Sequence, residues 1–353
     1  MSKNTASSKS SISSKIYVAM SGGVDSSVAA ALLKQQGHQV TGVFFKPWQP
    51  EGFYCNWKQD RQDAMRVAAK LGIPFKTWDF SIEYGREVAQ YMIDGYRDGI
   101  TPNPDVMCNK EIKFGLFLKK ALADGADYIA TGHYARLRQG SDGQAHLLKS
   151  KDKNKDQTYF LWTLKQDQLK HVFFPIGGYT KPEVRKLAKK FGLPTHAKKD
   201  SQGVCFVGKL DMHDFLTEYI KPEPGPIIFD GKEVGTHDGT AYYTIGQRHG
   251  LNITTGGGPF YVIDKKRNTL FVSKSKIKNQ NAKLAEINWI SNPKLPLKAS
   301  VKIRYRTKEV PVMISPDFRL STTHFFTSPS PGQSAVLYRG QEVLGGGILQ
   351  SSQ

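Results

Sequence analysis

The densest chemistry in this chain lies in nine residues, Ala19-Met20-Ser21-Gly22-Gly23-Val24-Asp25-Ser26-Ser27, which combine two adjacent glycines, three hydroxyls and a carboxylate. They stand between the apolar run Ile16-Tyr17-Val18 and the helix-periodic Val28-Ala29-Ala30-Ala31-Leu32-Leu33. Strand, tight turn and helix start in that order make an anion cradle. Glycine lets the backbone turn sharply and approach a ligand, and the first helical N–H groups face that ligand with the positive end of the dipole behind them. The hydroxyls of Ser21, Ser26 and Ser27 add donors without charge, which suits a phosphate chain that carries its own metal ion. No Lys-Ser or Lys-Thr pair follows the glycines, so Walker-type NTPase chemistry is disfavoured.

A second constellation is Thr101-Pro102-Asn103-Pro104-Asp105-Val106-Met107-Cys108. Two prolines stiffen the loop. Asp105, three residues before Cys108 near a helix start, gives the thiol reasons for a lowered pKa and a proton acceptor beside it. A lone cysteine reads first as a small buried hydrophobe; Asp105 and the anion cradle together turn Cys108 into a candidate nucleophile. Cys205, in Gly203-Val204-Cys205-Phe206-Val207, has apolar surroundings that suit a silent core thiol, softened by Lys198, Lys199 and Gly203. Cys55 is read as structural.

The elements around these residues predict a parallel sheet. Ile16 to Met20 reads as a strand buried on both faces, Gly37 ends the following helix, and Gln39 to Phe45 supplies the next strand. Ligands of such sheets bind beyond the carboxyl ends of the strands, so Phe45 is expected to offer its backbone to the ligand. Gly132, in Tyr128-Ile129-Ala130-Thr131-Gly132-His133-Tyr134, would let the backbone lie against the nucleotide, whereas His133 reads as a core histidine. Ala135 to Ser150 carries a hairpin signal. Lys181, Arg185, Lys186, Lys189, Lys190, Lys198 and Lys199 form a basic cluster that suits either a solvated helix face or the tracking of a phosphate chain. After about Lys209 the chain becomes β-rich, with expected strands at Ile227–Phe229, Tyr242–Ile245 and Tyr261–Ile263. From about Ala282 alternation and turn spacing suggest a β-barrel. There Lys302, Arg304 and Arg306 are expected on one strand face, where like charges call for an anion.

Composition sets the outer limits. The 353 residues carry a net charge of +19, which points to a polyanionic partner. No run approaches the roughly 20 apolar residues of a membrane span. Three cysteines without a Cys-x-x-Cys pair argue against a disulfide scaffold or zinc site and for a reducing, cytoplasmic compartment. Residues 1–15, rich in Ser and Lys, are expected to be a disordered tail with no secretory signal. The expected division is then 16–207, 208–281 and 282–353.

Ser21-Gly22-Gly23-Val24-Asp25-Ser26-Ser27 resembles the pyrophosphate loop of the ATP pyrophosphatase superfamily. With Asn103-Pro104-Asp105-x-x-Cys108-Asn109, Lys155-Asp156-Gln157 and Asp200-Ser201-x-Gly203-x-Cys205-Phe206, the chain is similar to the tRNA-specific 2-thiouridylases from Lys15 onward. That resemblance implies an α/β, parallel-sheet ATP pyrophosphatase domain followed by two small β-rich domains, the last a β-barrel. It also implies 2-thiolation of the wobble uridine of tRNA: ATP, with Mg2+, activates the C2 oxygen as an adenylate, and sulfur then displaces AMP. Nucleotide contacts fall to Ala19, Met20, Ser21, Gly22, Gly23, Val24, Asp25, Ser26, Phe45 and Gly132, with Asp25 expected near magnesium or its own loop N–H groups. Cys205 receives a persulfide from a carrier protein, Cys108 frees the sulfur, and Asp105 acts as acid or base. tRNA contacts fall to Asn103, Pro104, Asp105, Lys155, Asp156, Gln157, Arg304 and Tyr305. A monomer is expected. Two rivals share part of this pattern: an amide-forming synthetase with the same loop, which needs neither cysteine, and a catalytically silent tRNA-binding protein.

Overall fold

A computed structural model describes residues 13–50, 52–53, 56–200, 211–253, 255 and 257–350; the tail up to residue 12, Cys55 and Cys205 lie outside the described residues. The first sheet has five strands, β1 (Lys15–Ala19), β2 (Gln39–Lys46), β3 (Phe75–Asp79), β4 (Tyr128–Ala130) and β7 (Val172–Phe173), ordered β3-β2-β1-β4-β7 and all parallel. Strand β1 has β2 on one side and β4 on the other. The chain therefore reverses its direction of build there and opens a crevice at the carboxyl end of β1. Ile16 and Val18 are fully buried, and helix α1 (Val24–Gln35) buries Val28, Ala29 and Ala30 against them. Helix α2 (Trp57–Leu71) stops at Gly72, whose φ of +58° is the left-handed conformation that glycine adopts at helix ends.

The β-rich part divides into two sheets. Strands β8 (Gly225–Phe229), β9 (Lys232–His237), β10 (Tyr261–Lys266) and β11 (Thr269–Ser273) form one, ordered β10-β11-β8-β9. Strands β12 (Lys278–Trp289), β13 (Leu297–Lys302), β14 (Val310–Ile314), β15 (Arg319–Thr327), β16 (Ser334–Arg339) and β17 (Glu342–Leu349) close into a six-stranded antiparallel barrel, β17 returning to β12. The hairpin β5 (Ala135–Gln139) and β6 (Ala145–Lys149) leaves the parallel sheet and joins the barrel through β17, with Glu342 opposite Leu148. No helix among the described residues is long and apolar enough to cross a membrane.

Two expected strands are corrected. Tyr242 to Ile245 forms no strand: Thr240–Tyr242 is a single 3-10 turn, because Tyr242 donates its hydroxyl to the Ile220 carbonyl (2.5 Å) and Tyr243 donates to Asp238 (2.9 Å). Nor do Lys302, Arg304 and Arg306 share a strand face. β13 ends at Lys302, and Arg306 sits in a turn with φ of +61°. Arg304 leaves the ladder because its guanidinium donates to the carbonyls of Ile245 (2.6 Å) and Ser328 (3.0 Å), tying the middle sheet to the barrel.

The barrel also braces the proline loop before Cys108. Thr101 donates its N–H to the Pro331 carbonyl (2.9 Å), and Gln333 donates to the Thr101 carbonyl (3.1 Å). Gly332, at φ of +86°, lets these backbones meet: a Cβ there would lie 2.9 Å from the Thr101 oxygen. Gly332→Ala should therefore lower stability by about 1–3 kcal/mol, read as a fall in the urea midpoint. An unchanged midpoint would show that the loop does not depend on the barrel.

Candidate active site

The glycine loop sits in the crevice at the end of β1. Its two glycines do different work. Gly22 takes φ of +75° and lies so close to α2 that a Cβ would fall 2.2 Å from the Asp60 carbonyl oxygen. Gly23 is extended, at φ −89° and ψ 166°, and is the N-cap of α1. Ser26 and Ser27 both donate to the Gly23 carbonyl (3.2 and 2.7 Å), Ser26 accepts from the Ser21 N–H (3.2 Å), and Thr195 donates to Ser27 (3.1 Å). Two of the three expected phosphate hydroxyls thus shape the loop, and Ser21 alone is exposed. Ser27 N–H bonds the Gly23 carbonyl (3.3 Å), so the earlier first-turn N–H groups are the ones α1 presents toward the crevice.

The strand ends fix the rest of the wall. Ala19 ends β1, and Met20 donates its N–H to the Val43 carbonyl (2.8 Å). Val24 is buried. Phe45 packs its ring edge-on to Phe80 (5.3 Å) and Phe117 (4.8 Å), leaving only its backbone for a ligand. Gly132 lies against the loop itself: a Cβ would stand 2.6 Å from the Ser26 nitrogen. His133 is buried beside Lys113, its Nδ1 2.7 Å from Thr131 Oγ1, and burial holds its imidazole neutral, well below the usual pKa.

The Asp25 carboxylate is held from outside its loop: Tyr134 donates to Oδ1 (2.8 Å) and Lys181 Nζ reaches both oxygens (2.8 Å each). Burial and the Asp25 charge push the Tyr134 phenol far up, so it stays a donor. Among the described residues no three His, Cys, Asp or Glu side chains group as metal ligands. With Asp25 engaged by a phenol and an ammonium, the described residues offer no preformed carboxylate cluster for a magnesium ion.

Lys181 also bonds Asp200 (2.8 Å), which is shared with Lys155 (2.7 Å) and Arg185 (2.7 Å). Burial alone would raise the Asp200 pKa, but hydrogen bonds from Lys155 and Lys181 outweigh it and hold the carboxyl at about 2. Lys198 is bound to Asp60 (2.7 Å) and Asp63 (2.6 Å). Three of the seven clustered bases are therefore spent on internal carboxylates, whereas Lys186, Lys189, Lys190 and Lys199 are exposed. Of the Lys155-Asp156-Gln157 segment, Asp156 is buried and accepts from Ser150 N–H (3.1 Å), and Gln157 accepts from Tyr134 N–H (2.9 Å).

Cys108 is fully buried in the core that also holds Val106, Ile112 and Phe114. Asn103 caps the preceding turn by accepting from Val106 N–H (3.4 Å), Pro104 occupies its first position with Asp105 beside it, and Cys108 opens a π-helical stretch, Cys108–Leu116. Such stretches are frequent at functional sites. Asn109 donates to the Phe160 carbonyl (3.1 Å), and the Phe160 ring lies 4.5 Å from Tyr305, which carries the Arg306 guanidinium at 5.1 Å. Tyr305 of the barrel is thereby joined to the Cys108 helix. Sequence reading gave no role to Tyr134 and took Lys181 for a surface base. One signal was available: a lysine at the first position of a capped helix, Thr180-Lys181-Pro182-Glu183, opposes the helix dipole and so asks for a buried anion.

The fold and loop define an α/β nucleotide-binding domain followed by a four-stranded sheet and a six-stranded barrel. Family profiles agree: "tRNA methyl transferase HUP domain" matches residues 14–209, "tRNA methyl transferase PRC-barrel domain" 213–274 and "Aminomethyltransferase beta-barrel domain" 279–349. The tRNA-specific 2-thiouridylase MnmA of Geobacillus thermodenitrificans is 45% identical over 95% of this chain and 94% of its own length. That of Lysinibacillus sphaericus is 46% identical over the same shares, and that of Idiomarina loihiensis 44% identical over 97% of each chain. This chain belongs to the tRNA-specific 2-thiouridylase family.

The Asp200 network has a pH signature. A carboxyl held at about 2 stabilises the fold above its ordinary pKa of roughly 4 and loses that contribution as pH falls toward 2. Urea midpoints measured from pH 5 to pH 2 should fall less steeply for Asp200→Asn than for the unsubstituted protein. Parallel falls would mean that the network adds no acid-sensitive stability.

Proposed function

We propose that this chain replaces the C2 oxygen of the wobble uridine of tRNA with sulfur at the expense of ATP. The observation that carries the reading is the loop at the end of β1: main-chain N–H groups around Gly22 and Gly23, no Walker lysine, and a helix start facing a crevice. The profile descriptions speak of methyl transfer, but methyl transfer has no use for a pyrophosphate cradle. Adenylation has, and family membership over nearly the whole chain supports thiolation as the step that follows.

The chemistry divides in two. The uridine C2 oxygen attacks the α-phosphorus of ATP, and pyrophosphate leaves into the loop of Ser21 to Ser26; the oxygen, a poor leaving group, becomes part of AMP, a good one. Cys205 carries a persulfide delivered by a carrier protein. The Cys108 thiolate attacks the sulfur bonded to Cys205, forming a Cys108–Cys205 disulfide and releasing the terminal sulfur as the nucleophile that displaces AMP from C2. The sulfur is reduced, the two thiols are oxidised, and an external thiol restores them. Asp105 takes the Cys108 proton. Asn103, Pro104 and Asp105 border the target base. Lys155, Asp156 and Gln157 support the RNA from the nucleotide side, while Arg304 holds the turn that presents Tyr305 for stacking. The working unit is a cytoplasmic monomer.

With tRNA, ATP, magnesium and a persulfide donor, AMP and pyrophosphate should form only when tRNA is present, and nucleoside mass spectrometry should detect 2-thiouridine. ADP and phosphate as products would refute the loop assignment. Cys205→Ser should accept no labelled sulfur, whereas Cys108→Ser should load it yet make no thiouridine. Full thiolation by Cys108→Ser would return that residue to a packing role.

A further inference from the structure

The short 3-10 turn Thr158-Tyr159-Phe160 lies between the two groups read as facing the target base, and it takes no part in the bond-making steps. It is held at both ends. Thr158 is fully buried and donates its hydroxyl to Asp156 (3.0 Å), and just beyond the turn Asn288 of β12 donates to the carbonyls of Trp162 (2.7 Å) and Leu164 (3.1 Å). Tyr159, only 2% exposed, donates its phenol to the Ser334 carbonyl at the start of β16 (2.8 Å). Burial pushes the pKa of that phenol up and keeps it protonated, against the opposing pull of the Arg304 guanidinium and the Asn103 side chain, both of which lie beside it. Asn103 commits its side-chain oxygen to the Val106 N–H, which leaves its amide to meet Tyr159. Phe160 works in the same direction. Its carbonyl accepts from Asn109, next to Cys108, and its ring packs on Tyr305 at 4.5 Å, as the Tyr159 ring does at 6.1 Å. Two adjacent side chains therefore space the proline loop and Cys108 helix from the turn of Arg304 and Tyr305.

We propose that Tyr159 and Phe160 are positioning residues for thiolation, setting the gap between the Asn103–Asp105 loop and Tyr305 in which the uridine base is held. The assignment rests on the reading that these two groups face the base. A misplacement of about 1 Å between reacting atoms can cost on the order of a hundredfold in rate. Phosphate contacts, by contrast, dominate the affinity for RNA. Lost spacing should thus appear in rate and not in affinity. Tyr159→Phe, which removes only the hydroxyl, tests this at a temperature where unfolding curves show both proteins fully folded. At saturating tRNA and ATP, tRNA-dependent pyrophosphate release should fall by at least about tenfold while the Kd for tRNA stays within about twofold. Loading of labelled sulfur on Cys205, which needs no base, should be unchanged. A tRNA carrying 5-fluorouridine at the wobble position reports without turnover: fluorine NMR should show one shifted resonance with the unsubstituted protein and a broadened or free-like one with Tyr159→Phe. Phe160→Leu, which keeps the carbonyl that Asn109 uses, should show the same split, and it decides the matter by the same criteria should Tyr159→Phe not fold. A folded Tyr159→Phe that releases pyrophosphate at the unsubstituted rate overturns the proposal, since the turn would then only pack the seam between domains. So does a fall in rate matched by an equal loss of tRNA affinity. Failure of the unsubstituted protein to release pyrophosphate with tRNA would instead refute the proposed function, and this assignment with it.

Discussion

A carboxylate inside an anion cradle is the constraint around which the nucleotide side of this protein is arranged. Asp25 stands in the first helical turn after the glycine loop, where its charge favours the α1 dipole but opposes an incoming phosphate. Tyr134 and Lys181 hold it, and Lys181 can do so only because helix Lys181–Lys190 starts at the same crevice. The same ammonium holds Asp200, five positions before Cys205 in the sequence. Loop, helix start and Asp200 are thus bound through one buried cation.

The thiol side is packed against the parallel sheet and braced by the barrel as well. The proline loop that leads to Cys108 is hydrogen-bonded to Pro331 and Gln333, and Asn109, next to Cys108, is tied through Phe160 to Tyr305. The hairpin β5–β6 reinforces this union by leaving its own domain to lie beside β17, where His146 Nδ1 contacts Glu342 at 2.8 Å. Protonation of that histidine is favoured by the hydrogen bond it donates to Glu342, so the ion pair belongs to the neutral and acid range. Such cross-bracing fixes the barrel relative to the parallel sheet, whereas two separately tethered domains would lose their mutual orientation.

The large positive charge is distributed accordingly. Part of it is structural: Lys181, Arg185 and Lys198 answer internal carboxylates, Lys302 lies near Asp156 and Glu309, and Arg304 satisfies two carbonyls. The remainder, on residues such as Lys186, Lys189, Lys190 and Arg306, is exposed and free to attract a polyanion at long range.

Local pattern was enough to read the strand, glycine turn and helix of residues 16–35, the parallel sheet that follows, the hairpin at 135–150 and the barrel at the end, because periodicity and turn chemistry act over a few residues. The loop motif and the Asp105–Cys108 spacing were legible for the same reason. What the sequence could not determine was which charges meet. Asp25 and Lys181 are 156 positions apart, and Asn109 and Tyr305 farther still; a lysine reads as a surface base until folding places it against a carboxylate. Arg304 was misplaced on a strand face because alternation continues past Lys302 in the sequence, whereas two distant carbonyls end the strand in space. Tertiary structure alone decided these pairings, since burial makes an unpaired charge costly and only the folded chain settles which opposite charge lies within reach.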